Sequence, residues 1–240
     1  MVYFFKRDIP KRTNAVILGF AAGVMIAAAV WSLLIPSIAA AEATFGQWAW
    51  LPGAVGFLLG GLFLVMLDHV LPHFHVGTGH EEGPHVKVQK STRLFLAVTI
   101  HNIPEGLAVG LAYGAAAVSG DPGAIYAALG LSIGMAIQNF PEGAAIALPM
   151  KVATGNRHKA FLFGMGSGAV EPLAAIVGYI LASQVAVLHP WMLGFAAGAM
   201  LFVVAEDLIP DSNISEYPHA GTWGVMLGFV IMMVLDVALG

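Results

Sequence analysis

The sequence predicts an all-α polytopic membrane protein, and three observations carry that prediction. Hydrophobic residues make up 58% of the 240 and charged residues only 10%, against roughly 25% charged in ordinary soluble domains. A soluble chain of this size could not cover its surface with so few charges, so lipid must be the solvent for most of it. Seven apolar stretches then reach the length of about 20 residues that crossing a bilayer requires, near 15–40, 48–72, 93–118, 123–149, 160–183, 190–210 and 221–239. The period-2 alternation of a membrane barrel is absent. Backbone groups in lipid must pair within their own segment, so each stretch should be a helix.

Orientation follows from the basic residues. Lys6, Arg7, Lys11 and Arg12 precede the first span, Lys87, Lys90 and Arg93 the third, and Lys151, Arg157 and Lys159 the fifth. Alternating spans place all ten on one side. That side is expected to be the cytoplasm, with the N-terminus inside and the C-terminus outside. The chain has no cysteine, which excludes disulfides, thiolate metal sites and thiol nucleophiles. No secretory leader is visible, because Phe4 and Phe5 run straight into the basic residues. Nothing in the sequence calls for a nucleic-acid partner.

The first span, 15–40, carries Gly19-Phe20-Ala21-Ala22-Gly23-Val24-Met25, and the sixth, 190–210, carries its near copy Gly194-Phe195-Ala196-Ala197-Gly198-Ala199-Met200. The third carries His101-Asn102-Ile103-Pro104-Glu105-Gly106, and the fourth repeats it as Gln138-Asn139-Phe140-Pro141-Glu142-Gly143. Both pairs lie on spans of opposite direction. Such antiparallel repeats mark inverted-topology transporters, whose sites lie at the repeat interface near mid-membrane. Close packing alone accounts for repeated Gly and Ala. It does not call for a repeated carboxylate.

Glu105, Glu142 and Glu171 each fall in the middle of a span. A carboxylate at that depth costs about 2.5–3.5 kcal/mol on insertion scales. No Lys or Arg lies at the same depth to neutralise them, so a divalent cation, protons or both must. His101 and Glu105 stand at i and i+4, and Asn102 and Glu105 at i and i+3, so all three can face one point. Gln138, Asn139 and Glu142 repeat the arrangement. Pro104 and Pro141 remove a helical N–H and loosen the carbonyls of Ile100 and Ile137. Gly106 and Gly143 are expected to let the two motif helices approach closely, and Glu171-Pro172 offers a third carboxylate beside a proline. One imidazole, three carboxylates and three amides form an N/O set that suits Zn²⁺, Mn²⁺ or Fe²⁺. Two adjacent metal positions bridged by Glu105 and Glu142 are an alternative to one. Interhelical hydrogen bonding explains Asn and Gln well but unpaired Glu badly.

These motifs resemble those of the ZIP (Zrt/Irt-like) family of divalent-metal transporters, in its bacterial and GufA-like branch, and the resemblance covers essentially the whole chain. It implies that 1–240 is a single transmembrane transporter domain in a cell membrane. It further implies a two-metal site formed by His101, Asn102, Glu105, Gln138, Asn139, Glu142 and Glu171, which Met25 approaches. Ser32 would stand at the outer entrance, with Glu206 and Asp207 at the inner exit. Zn²⁺ heads the implied substrates, ahead of Fe²⁺, Mn²⁺ and Cd²⁺, and a homodimer is the implied assembly. The family fold has eight helices and seven are visible here, so Val2-Tyr3-Phe4-Phe5 reads as the tail of a missing first helix. Asn139 stands where some relatives carry Asp, which costs the second metal position a charge. The loop 73–92, with His73, His75, His80 and His85, resembles the His-rich cytoplasmic loop of the family and is a further metal-binding candidate; a solvated polar loop is the plainer reading. Asp68, His69 and Asp236 read as interfacial, with a place lining the ion path, at the exit for Asp68 and His69, as the alternative.

A membrane-embedded metallohydrolase and a metal sensor are the rival functions. No His-Glu-x-x-His occurs, and amide ligands make a poor shell for activating water. A sensor would hold the metal still.

Overall fold

A computed structural model describes Tyr3 and residues 10–70, 73–74, 81–82, 90–213, 216–217 and 219–239. Its helices are α1 (Lys11–Ala28), α2 (Ile35–Phe45), α3 (Trp50–Val70), α4 (Lys90–Ser119) and α5 (Pro122–Thr154), followed by α6 (Arg157–Gly168), α7 (Val170–Gln184), α8 (His189–Val203), α9 (Ile209–Ser212) and α10 (Ala220–Leu239). The chain is an all-α polytopic membrane protein, and all seven expected spans are present with ends moved by about one turn. Among the described residues, six stretches are long and apolar enough to cross a membrane. The seventh span is α4, 30 residues long with the first polar motif inside it. The strands are β1 (His73–Phe74) and β2 (Glu81–Glu82), an antiparallel pair in which His73 faces Glu82 in register. His75, His80 and His85 lie outside the described residues.

Local chemistry sets the helix ends. Asp121 caps α5 by accepting from the Gly123 N–H at 3.0 Å, with Pro122 in the first turn. Gly155 closes α5 at φ +64°, a conformation that favours glycine. Asn156 then starts α6, its side-chain oxygen accepting from the N–H groups of His158 and Lys159. Neither repeated motif interrupts its helix; α4 runs on through Pro104.

Three spans are not the plain helices expected. In the first, a π-helical turn at Ala29–Leu34 separates α1 from α2. In the sixth, Val204–Leu208 does the same between α8 and α9. Each wide turn ends two residues before a proline. The Ile35 N–H bonds the Val30 carbonyl and the Ile209 N–H bonds the Val204 carbonyl. Pro36 and Pro210 follow with no N–H to continue the ladder. The inverted repeat thus carries one Ile-Pro device in both copies. The fifth span breaks at Ala169, between α6 and α7.

Glycines set the helix pairing. A Cβ at Gly19 or Gly23 of α1 would run into the backbone of α10, and one at Gly224 or Gly228 of α10 into that of α1. Gly56 and Gly60 of α3 lie against the backbone of α8, and Gly194 and Gly198 of α8 against that of α3, in the same reciprocal way. The third such pair joins Gly106, Gly110 and Gly114 of α4 to α7, with Gly178 answering from α7. In lipid, close backbone contact of this kind supplies the association that the hydrophobic effect cannot. The common apolar core gathers Met25, Leu111, Leu131, Met135, Met200 and Met232, while Leu58, Leu62, Leu173 and Ile176 point outward as a lipid-facing surface does.

Candidate metal centre

The two motif helices bring their polar residues inward, against every ordinary rule of burial. Asn102, Glu105, Gln138 and Glu142 are all buried. Gln138 Nε2 donates to Glu105 Oε2 across the α4–α5 interface and to Asn139 Oδ1 at 2.8 Å. Asn139 Nδ2 donates to Glu171 Oε2 of α7 at 2.5 Å. The result is one hydrogen-bonded chain, Glu105–Gln138–Asn139–Glu171, over three helices. Asn102 Nδ2 donates to the Ser167 carbonyl at 3.0 Å. Glu105 feels the charge of both Glu142 and Glu171, and Glu142 feels Glu171 and Asp207, so the carboxylates share one electrostatic field.

What the network leaves over is chemically uniform. Asn102 Oδ1, Glu105 Oε1, Gln138 Oε1 and Glu142 Oε2 are buried without a hydrogen-bond partner. All four are acceptors, and none has a donor. Orphaned buried acceptors are costly and rare in folded proteins. A bound cation would satisfy such a set, because each of the four oxygens can serve as a ligand. Among the described residues, no three His, Asp or Glu side chains already form a metal cage. The amide groups of Gln138 and Asn139 stand between the carboxylates with their N–H donors turned to them. Rotating either amide would exchange a donor for an acceptor.

Around this centre the remaining expected residues are dispersed. His101 sits 3.5 Å from Asp207 Oδ2, linking α4 to the π-helical turn of the sixth span. Glu206 is exposed. Ser32 lies in the other π-helical turn, where its Oγ donates to Asp236 Oδ1 of α10 at 2.5 Å. Asp236, read from sequence as interfacial, has its second oxygen buried and unpartnered. Met25 is fully buried in the core beside Met200 and Met135. Met135 was missed altogether: its thioether accepts from Gln138 Nε2 at 3.9 Å. Its position three residues before Gln138, on the same helix face, was the available signal. His69 Nδ1 bonds the Val65 carbonyl on its own helix and is exposed.

One expectation needs correction. The motif glycines do not bring α4 and α5 together. A Cβ at Gly106 would meet the backbone of Glu171 at 2.7 Å, so Gly106 seats α4 on α7. The nearest neighbour of Gly143 is Gly164 of α6, at 3.4 Å. The contact between the motif helices is polar instead, through Gln138 and Glu105.

A polytopic helical bundle with a repeated acidic motif buried between its helices fits the class of membrane transporters. Comparison with known proteins gives the family. The family model described as ZIP Zinc transporter matches residues 89–236. The chain is 38% identical to Zinc transporter ZIPB of Bordetella bronchiseptica over 236 residues, covering 98% of this chain and 74% of that protein. It is 38% identical to Zinc transporter GufA of Myxococcus xanthus over 214 residues, covering 88% and 81%. To human Zinc transporter ZIP11 it is 36% identical over 300 residues, covering 93% and 87%. The chain belongs to the ZIP family of divalent-metal transporters.

Proposed function

We propose that this chain, as one transmembrane unit over 1–240, carries Zn²⁺ toward the cytoplasm, with Fe²⁺, Mn²⁺ and Cd²⁺ as competing substrates. The observation that carries the reading is the set of four buried acceptor oxygens on Asn102, Glu105, Gln138 and Glu142. His101 and Glu171 extend it, and the Met25 thioether borders it. The ion enters past Ser32 and Asp236 and leaves past Asp207 and Glu206, so the two π-helical turns frame the path. Alternating access suits the inverted repeat, since each copy holds one of these turns next to a proline. With all ten basic residues on one face, the N-terminus is inside and the C-terminus outside. A homodimer is the assembly that the family resemblance implies, and the loop histidines 73, 75, 80 and 85 receive metal on the inner side.

Purified protein in sealed liposomes tests this directly. Zinc should accumulate in the lumen, saturate, and be competed by Cd²⁺, Fe²⁺ and Mn²⁺. Tight binding without accumulation would make the chain a sensor. Hydrolysis without accumulation would make it a metallohydrolase.

The two-position version of the site makes its own prediction. Asn139 now donates to Glu171, and Asn139→Asp would replace that donor with a second negative charge. Metal-free protein should lose about 1 kcal/mol of stability, the net worth of a part-buried hydrogen bond given up. The zinc-dependent rise in Tm should grow, because the added charge strengthens the second position. A smaller zinc-dependent rise in Asn139→Asp would rule that position out.

A further inference from the structure

The break between α6 and α7 lies beside the site rather than at a membrane surface, and it does more than turn the chain. Pro172 has no N–H, so the carbonyl four residues earlier, at Gly168, loses its helical partner. The ladder instead tightens, with the Ala169 N–H bonding the Gly166 carbonyl at 3.2 Å. Through this irregular turn the Ser167 carbonyl is open to a side chain, and Asn102 Nδ2 takes it at 3.0 Å. That bond turns Asn102 Oδ1 away from the backbone, into the unpartnered set. Ser167 secures the turn further, its Oγ donating to the Gly164 carbonyl at 3.0 Å.

Gly168 lies between the two groups so positioned. A Cβ there would stand 3.2 Å from Glu171 Oε1 and 4.0 Å from Asn102 Nδ2. The first distance is tighter than ordinary van der Waals contact. The Gly168 backbone is not in the left-handed region, so conformational freedom is not what glycine provides here. It provides the space in which the Glu171 carboxylate rests. We infer that Gly168, with the Ser167 carbonyl, is a positioning element that sets the Asn102–Glu171 side of the metal centre, so that the absence of a side chain at 168 tunes affinity there. This inference rests on the metal-centre reading above.

Gly168→Ala tests it, read as zinc affinity by calorimetry on the purified full-length chain. Alanine is the better helix former, so metal-free Tm should hold or rise. Zinc affinity should nevertheless fall about tenfold, the scale on which groups that orient ligands act. Glu171→Asp withdraws the carboxylate by one methylene and serves as the partner variant. In its background Gly168→Ala should cost less than about twofold, because the contact is already relieved. Equal losses in both backgrounds, or unchanged affinity in Gly168→Ala, would overturn the inference. Glu142→Ala separates the two claims. If it binds zinc as the parent does, the metal-centre reading fails. If it loses zinc while Gly168→Ala is silent, only the positioning role fails.

Discussion

Glu142→Ala is expected to abolish zinc uptake while leaving the folded protein in the membrane. Loss of a group that merely orients a ligand costs about 10–100-fold in metal affinity; loss of Glu142 should exceed that range. Glu142 is buried, with Oε2 unpartnered, and it shares the field of Glu105, Glu171 and Asp207. Its Oε2 has no hydrogen bond to offset its burial. Removing it therefore relieves repulsion at little structural cost, and the metal-free Tm should rise. This opposite movement of stability and transport is the signature of a functional site held at the expense of the fold. It is read from proteoliposome uptake and from thermal unfolding of the same preparation. A Glu142→Ala protein that unfolds at lower temperature would mark the residue as structural instead.

Much of the centre was legible because it breaks a rule. A repeated Asn-x-Pro-Glu-Gly inside apolar spans has no packing explanation, so the sequence exposes His101 through Glu105 and Gln138 through Glu142 without help from structure. The spans were legible for the same physical reason, since lipid dictates both their length and their helical form. What local pattern could not supply was partnership between distant segments. Ser32 and Asp236 are 204 positions apart, and Asn102 and Ser167 are 65 apart. Nothing near Asp236 in the chain says that its neighbour is a hydroxyl in a π-helical turn. The turns themselves sit before Ile35-Pro36 and Ile209-Pro210. A proline in an apolar span announces some disturbance of the ladder, but its form depends on what packs against it. Gly168 shows the same limit at finer scale. A glycine in a Gly-x-Gly-x-Gly run looks like any small-residue helix face, and only the positions of Glu171 and Asn102 reveal what that space is for.

The second large effect concerns that distinction between glycines. Gly110→Ala is expected to impair folding and transport together, whereas Gly143→Ala should be tolerated. At Gly110 a Cβ would meet the backbone of Ala175, with Cα and carbonyl carbon both at 2.7 Å, where no rotamer change gives relief. Helix α7 must then move away from α4 as a body. Overpacking of a tight core costs about 1–3 kcal/mol, and backbone-on-backbone contact belongs at or above the top of that range. The movement would carry Glu171, about one turn from Ala175 along α7, off Asn139 and undo the chain that joins it to Glu105. At Gly143 the nearest atom stands at 3.4 Å, the Gly164 carbonyl oxygen, so a methyl group fits with a small adjustment. Both substitutions favour the helix by about 1 kcal/mol in intrinsic propensity, so propensity cannot separate them. Thermal unfolding and zinc uptake measured on the pair should split widely in the same direction. If Gly110→Ala instead kept its Tm and lost only transport, α4 and α7 would have to separate during the transport cycle.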